Sequence, residues 1–581
     1  MKLPTLPMSG SSREVVEGFR GYNHNLRIRS NELYHMENLT SDHYPVLGPR
    51  GKRGIYARPA SPQGLIAKDQ VCYVDGEDFI IGQERIAMGL SVLPQDCPKQ
   101  LASMGAYVII LPDKKFINTM NAADRGDIEA VFDSTQPVTI QLCTARGESL
   151  QAVPSPTPPE NPENLSWWID TAASPHVLKQ WSAEHKLWVS AASTYVKIQT
   201  PGIGQPFSRQ DGITLTGIVG EGLKDLNGSH VILEKGDDYL ILTGIAHQAT
   251  TQTEAIRVQR RMPRLDFVTE SGNRLWGCRY GLDENGQQVN EIYASKLGDF
   301  KNWNCFQGLS TDSYAASCGT DGPFTGAVTH LGYPLFWKEN CVHKVYGSYP
   351  AQYQIQDTAC RGVQPGCQGS LAIVNETLFY KSRSGICAYD GALPKDISYP
   401  LGTIPYSGAV AGSVGSKYYI SMEDSLGQGH LFVFDTGKGM WHREDDLRVL
   451  AFCSHGGELY CIDSASRNIL ALLGSGEPYE QEVAWMAETG ELGLNDPDRK
   501  YISRMQIRMS LEPGSQVDIY ARYDLSPEWI HLARVHSTSL GSFSVPLRPR
   551  RCDHMKLRFV GTGMGRIYAW AKTIERGSGL S

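Results

Sequence analysis

The sequence contains no run approaching about 18 consecutive apolar residues, so it offers no membrane-spanning helix. It has no Cys-x-x-Cys pair, no His-Glu-x-x-His, and no closely spaced histidines beside paired cysteines. The common zinc frameworks are therefore missing, and no metal is expected. There is no Gly-x-Ser-x-Gly elbow and no Walker A lysine. No catalytic residue, cofactor or cofactor-binding residue is expected from motifs, and the chain is expected not to be an enzyme. Positive charge is in short supply: 55 Lys and Arg face 62 Asp and Glu, a net charge of −7. Tight phosphate binding needs clustered cations, which argues against a DNA-binding module but leaves room for a DNA conduit. The amino-terminal stretch lacks the apolar core of a signal peptide, so first folding in a cytoplasm is expected. The 13 cysteines are odd in number and sit mostly in apolar strands, as Cys72, Cys143, Cys278, Cys387, Cys453 and Cys461 do. That pattern reads as buried thiols. Cys360 and Cys367 alone have a spacing that invites a disulfide, which a reducing compartment disfavours.

What is present is turn-rich and strand-rich. Apolar residues make up 41% and charged residues 20%, an ordinary globular balance. The 59 Gly and 32 Pro are dispersed, as many short strands and tight turns require. Residues 1–60 are polar, without a long period, and read as an extended arm lying on a partner surface. Hairpin grammar begins at Leu65, and Asp75-Gly76 between apolar runs marks a tight turn. It continues through AYVIILPDKKFIN, so residues 61–143 are expected to hold the first blades of a propeller. A Pro-rich segment follows, with helical spacing between Pro175 and Lys186. Residues 144–260 are read as an inserted β-rich, platform-like domain. From Arg264 a unit of strand, turn, apolar strand, turn and strand recurs, with aromatic landmarks at Trp276, Trp337, Tyr380, Tyr419 and Tyr460. Spacings of about 40–60 residues approach those of four-stranded blades. Residues 261–480 are thus the remaining blades, about seven in all. Residues 481–581 alternate with period two and read as a C-terminal β-sandwich-like domain. The fold class is mainly β.

Four stretches carry a family resemblance: NELYHMENLTSDHYPVLGPRGKRG in the arm, NEIYASKLGDFKNWN, GSLAIVNETLFYKSRSGICAYDG, and the C-terminal pair of Trp485–Gly490 and VPLRPRRCDHMKLRFVGTGMG. They resemble the tail nozzle proteins of short-tailed bacteriophages, also called tail tubular protein B or packaged-DNA stabilisation protein. The resemblance implies a homo-hexameric ring in the virion that retains packaged DNA and conducts it at ejection. It implies partners in adaptor or portal-proximal ring proteins and in other tail proteins or fibres, with transient contact with phage DNA. The alternative is a receptor- or carbohydrate-binding propeller at a tail tip or baseplate, using aromatic loop tips around Trp303 and Tyr349.

Candidate residues follow from these readings. Arg50, Lys52 and Arg53 in the arm, and Arg548, Arg550 and Arg551 near the C-terminus, are candidate assembly contacts, because Arg suits paired interfaces. Arg257, Arg260, Arg261 and Arg264 mark the return from the insertion. A polar, Gly-containing loop with Ser310, Asp312, Tyr314 and Asp321 is the candidate gate of a channel. DTGKGMW (Asp435–Trp441) resembles a hairpin-bracing turn of sialidase-like propellers. The acidic pairs Asp237-Asp238 and Asp445-Asp446 lack calcium-loop offsets and read as solvated turns.

Overall fold

A computed structural model describes residues 10–94, 96–220, 222–548 and 550–576. The fold is mainly β, with short 3-10 turns as its described helices. Among the described residues six sheets have the blade pattern of four sequential strands, and a seventh has three sequential strands completed by an early one. Blade 1 spans residues 62–87, blade 2 100–127, blade 3 267–317, blade 4 324–359, blade 5 372–396, blade 6 407–443 and blade 7 449–471. Blade 1 shows why the sequence folds this way. Val71–Asp75 and Asp78–Ile81 pair with Asp75 opposite Asp78, and Gly76 closes the turn at φ +64°, where a side chain would be strained. The five aromatic landmarks all fall in the second strand of their blades. Trp276, Trp337, Tyr380, Tyr419 and Tyr460 are buried, so the repeat seen in the sequence is the repeat of the core.

By its contacts the chain forms two units: residues 1–101, 336–342 and 358–581, and residues 102–335 and 343–357. In the first, neighbouring blades pack face to face. Tyr419 and Val433 of blade 6 meet Leu459, Cys461 and Leu470 of blade 7, and Tyr460 and Ile462 of blade 7 meet Leu65, Tyr73 and Ile80 of blade 1. Each such fully buried aliphatic side chain contributes about 1.5–3 kcal/mol. Blade 7 takes Gly54–Ala57 as its fourth strand beside Ile469–Ala471, and Ile55 enters the core of blades 6 and 7.

The arm is therefore not laid on a foreign surface. Ser11–Val16 pairs antiparallel with Gly565–Arg576, setting Val16 opposite Trp570, and Leu33–Glu37 pairs with Ala484–Thr489. Phe19 packs on Trp570 with ring centroids 4.7 Å apart, and Leu33, Met36 and Leu39 are buried. The apolar residues of the arm are too widely spaced to form a core alone, and the C-terminal domain supplies that core.

The C-terminal domain is an eight-stranded sheet. The two alternating stretches at 502–510 and 516–522 are one bent strand, Lys500–Tyr523, of 24 residues. Its first half pairs with Gly565–Arg576 and its second with Met555–Thr562, with register shifts between Met509 and Gln516 on the partner strand Ile530–Val545. One hairpin thus joins both groups of strands in the sheet.

In the second unit, Phe300 and Trp303 after the third strand of blade 3 pack with Ile109 and Phe116 of blade 2. Three more sheets lie between these blades in sequence. They begin at Ala130–Asp133, which pairs with Arg257–Arg260, so the chain enters and leaves along adjacent strands. Val138–Cys143, expected in the early blades, pairs instead with Tyr195–Gln199 and shares the inserted core of Ile140, Ile198, Ile213 and Leu240. The expected helical stretch is strand Val177–Ser182, held by Trp167–Asp170 and Leu187–Ser190. Pairing of Trp181 with Trp188 outweighs its weak helical spacing.

Candidate functional site

The loop after the third strand of blade 3 is built around one buried cation. Arg274, on the second strand, is 2% exposed. Its guanidinium donates to the backbone carbonyls of Ser295 at 2.8 Å and Ser310 at 2.8 Å, and to that of Asp312. Its plane lies over the Tyr353 ring at 5.9 Å. Burial pulls the guanidinium below its usual pKa, Tyr353 and then Asp312 oppose the shift, and the carbonyls take its hydrogen bonds. Asp312, 4% exposed, turns its carboxylate back to accept from the backbone N–H of Gln307 and, at 3.0 Å, of Leu309. The Ser313 N–H donates to the Cys305 carbonyl at 3.0 Å. Five backbone groups of residues 305–312 are thus fixed, which a loop of this length needs in order to present side chains rigidly.

The side chains it presents are apolar. Phe306 is 57% exposed and Leu309 53%. On the same cleft the 3-10 turn Pro350–Gln352 holds Tyr349, 36% exposed, with Gln352 N–H donating to the Tyr349 carbonyl at 2.8 Å. Together they wall a cleft of about 290 Å³ with Ser310, Asp312 and Pro350 on its lining. Aromatic rings at fixed positions beside hydroxyl and carbonyl groups can stack on the C–H face of a sugar and hydrogen-bond its edge.

The sequence-derived candidates are distributed differently from expectation. Tyr349 and Ser310 lie on this cleft, whereas Trp303 is 5% exposed and donates its indole N–H to the Phe300 carbonyl at 2.8 Å. Its apolar neighbours claim the ring, so it is no loop tip. Phe306 and Leu309 were missed, since nothing in their spacing distinguishes an exposed apolar residue from a buried one. The expected gate loop is pinned: Arg274 and Asp312 brace one end, and Asn290 holds the other through the carbonyls of Cys318 at 2.9 Å and Thr320 at 2.6 Å. Tyr314 sits in strand Tyr314–Ser317 with its ring 5.1 Å from Tyr353, and Asp321 is exposed.

Arg50 and Arg53 are corrected as assembly contacts, because both point inward. Arg53 is 2% exposed and donates to Asp445 at 2.6 Å and Glu444 at 2.7 Å, and Arg50 forms a two-pronged pair with Glu480 at 2.7 and 2.8 Å. Asp445 is thereby no solvated turn. Burial pushes its carboxyl up, but Arg53 more than offsets this and holds it below the usual range. Lys52, Arg548, Arg550 and Arg551 are exposed, with Arg550 over the Tyr523 ring. Arg260 is buried against Asp211, and Arg257 and Arg261 face Asp133 and Glu284. Asp435 accepts from Ser41 at 2.6 Å and Lys438 N–H at 3.1 Å, and Trp441 donates to the Ile397 carbonyl at 2.8 Å, a bracing arrangement. None of the thirteen cysteines is in a disulfide, Cys360 and Cys367 included. No group of three metal-ligating side chains occurs among the described residues.

No family model and no curated protein matches the chain. Solved structures do. An exo-beta-1,3-galactanase from Phanerochaete chrysosporium with galactose is 10% identical, with a TM-score of 0.21, over 52% of this chain and 94% of that one. A GH43 glycoside hydrolase engineered to display endo-xylanase and exo-arabinofuranosidase activity is 8% identical, with a TM-score of 0.20, over 53% and 97%. A Trypanosoma rangeli sialidase in complex with 2,3-difluorosialic acid is 8% identical, with a TM-score of 0.21, over 97% and 95%. These likenesses are too weak to carry an activity across. Against neighbours titled glycoside hydrolases and a sialidase, the expectation that the chain is not an enzyme is withdrawn, with no activity assigned in its place. The expectation rested on missing motifs, and glycosidase carboxylates come from separate strands with no fixed spacing for a motif to record.

Proposed function

We propose that this chain is a structural protein of a phage tail whose propeller presents the Phe306–Leu309–Tyr349 cleft to a carbohydrate receptor. The tail assignment rests on the resemblance of the arm, blade and C-terminal stretches to tail nozzle proteins. The observation that carries the binding role is the cleft: two half-exposed apolar side chains on a loop held by Arg274, sharing its lining with an exposed tyrosine. An exposed apolar group costs solubility, and a braced one cannot fold away, so its retention favours a ligand. Binding of neutral oligosaccharides should be measured by glycan array and then by calorimetry. Phe306→Ala and Tyr349→Ala are expected each to weaken it, because stacking is worth about 1–3 kcal/mol for an aromatic contact. Unchanged binding in the double variant, or no binding to any glycan, removes the cleft from the proposal. Release of reducing sugar in the same assay assigns the cleft a glycosidase role.

A second reading, a homo-hexameric nozzle ring that conducts DNA beside an adaptor ring, is favoured by a specific feature. Strand Ile530–Val545 pairs on one side only among the described residues, leaving a backbone edge 16 residues long. Such an edge suits pairing with another copy. Electron microscopy distinguishes the readings: a six-fold ring with a hole passing a duplex supports the conduit, and separate particles at a tail tip support the receptor binder.

A further inference from the structure

The first unit contains a buried ammonium without a counter-charge. Lys381, on the second strand of blade 5, is 4% exposed. Its Nζ donates to the Gln364 side-chain carbonyl at 2.7 Å and the Ser382 carbonyl at 2.6 Å, both neutral acceptors. No carboxylate lies within ion-pair distance of it among the described residues. The carboxylate that acts on it from further away, Asp396, is taken up by Arg361 at 3.2 Å and by the Ser398 hydroxyl at 2.7 Å. Arg383 nearby, well exposed, faces Glu339 at 3.6 Å. Each guanidinium has its carboxylate, and the ammonium has none. Moving an ammonium out of water costs several kcal/mol unless an opposite charge repays it.

Lys381 also lines a pocket of about 60 Å³. Arg383, Ser384, Ser398, Ile404, Pro405 and Tyr406 share that lining. At about 30 Å³ per water, the space holds two waters or one small anionic head group. We propose that this pocket binds the anionic group of an acidic sugar, its carboxylate or phosphate oxygens taking the place of a counter-ion at Lys381 and its ring lying on Ile404 and Pro405. Burial pulls the Lys381 ammonium below the usual lysine value, and a bound anion would raise it again. The site is separate from the Phe306 cleft and does not depend on it.

Calorimetry on the full chain with sodium glucuronate, glucose 1-phosphate and glucose tests this. Saturable binding of either anion, with glucose silent, is expected, and the anion that binds identifies the head group. Lys381→Met is expected to weaken it by about tenfold or more. Should that variant fold poorly, Ile404→Glu provides a second arm. Ile404 is 37% exposed, so the change is tolerated, and a carboxylate at the mouth should repel the same anions by a similar factor. Phe306→Ala with Tyr349→Ala should leave anion binding intact. The inference is overturned if neither anion binds, if glucose binds as well as they do, or if a folded Lys381 or Ile404 variant binds them like the parent chain.

Discussion

His442 lies in the last strand of blade 6, 1% exposed, and neither ring nitrogen has a hydrogen-bond partner among the described residues. Burial pushes its pKa down to about 3, with Lys417 adding to the effect and Asp42 opposing it. A folded pKa below the unfolded value means the unfolded chain takes up the proton first. The stability this neutral histidine permits is complete above about pH 6.5 and is lost as pH falls toward 3, by about 1.4 kcal/mol per pH unit. Between pH 7 and pH 5 the loss is about 2 kcal/mol. His442→Leu keeps the volume and removes both the proton and the unpaired N–H. It should be neutral or stabilising at pH 7, and its advantage over the parent chain should grow by about 2 kcal/mol at pH 5, read by urea denaturation. An advantage that does not change with pH would show that His442 is solvated or paired. The same scale marks a limit of the sequence. Arg50 and Arg53 read as surface charges because composition cannot reveal Glu444, Asp445 and Glu480, nearly 400 residues or more away, folding back to meet them.

At the scale of elements, alternation and turns located most blades, because each blade strand is short and buries one or both faces. They failed where one strand does two jobs. Lys500–Tyr523 looks like two strands because its register shifts between Met509 and Gln516, and a shift is what a break in the alternation records. They failed again in the arm, whose few apolar residues look insufficient until Trp570 and Ala487 are seen to pair with them. This sets the effect of deletion. Removing residues 1–54 takes away two strands of the C-terminal sheet, with Arg50 and Arg53 of the ion cluster. The truncated chain should lose cooperative unfolding of its C-terminal domain, read by hydrogen exchange across Gly565–Arg576, and not merely fail to assemble. Full protection there would return the arm to the role of an assembly tether. The cleft loop yields a parallel prediction. Arg274→Ala deletes the donor to three carbonyls, so residues 305–312 should exchange faster and glycan binding should fall by about tenfold. Slow exchange in that variant would mean Asp312 alone fixes the loop.

At the scale of the whole molecule, the proposed ring requires copies of the chain to meet. The C-terminal sandwich carries two different unpaired edges, Ile530–Val545 and Ser11–Val16, each bonded to one neighbour among the described residues. At about 3.3 Å per residue the longer edge extends roughly 50 Å. When two distinct edges on one subunit pair, the contact is head-to-tail, and such contacts close into a ring if the rotation per subunit divides a full turn. The exposed side chains on the longer edge include Leu540, 58% exposed, and Val15 on the shorter is 53% exposed. Neither edge carries the inward lysine or proline with which proteins usually protect a free strand. Leu540→Lys with Ser542→Lys places two like charges on the longer edge without touching a core residue. The parent chain is expected to sediment as a closed oligomer at micromolar concentration and the double variant as a monomer with the same thermal midpoint. Ring formation would favour the conduit reading, and the wall of such a ring, from a chain of net charge −7, should bind duplex DNA weakly and lose it steeply with added salt. A parent chain that stays monomeric at every concentration would leave both edges covered by other tail proteins and would favour the receptor-binding reading.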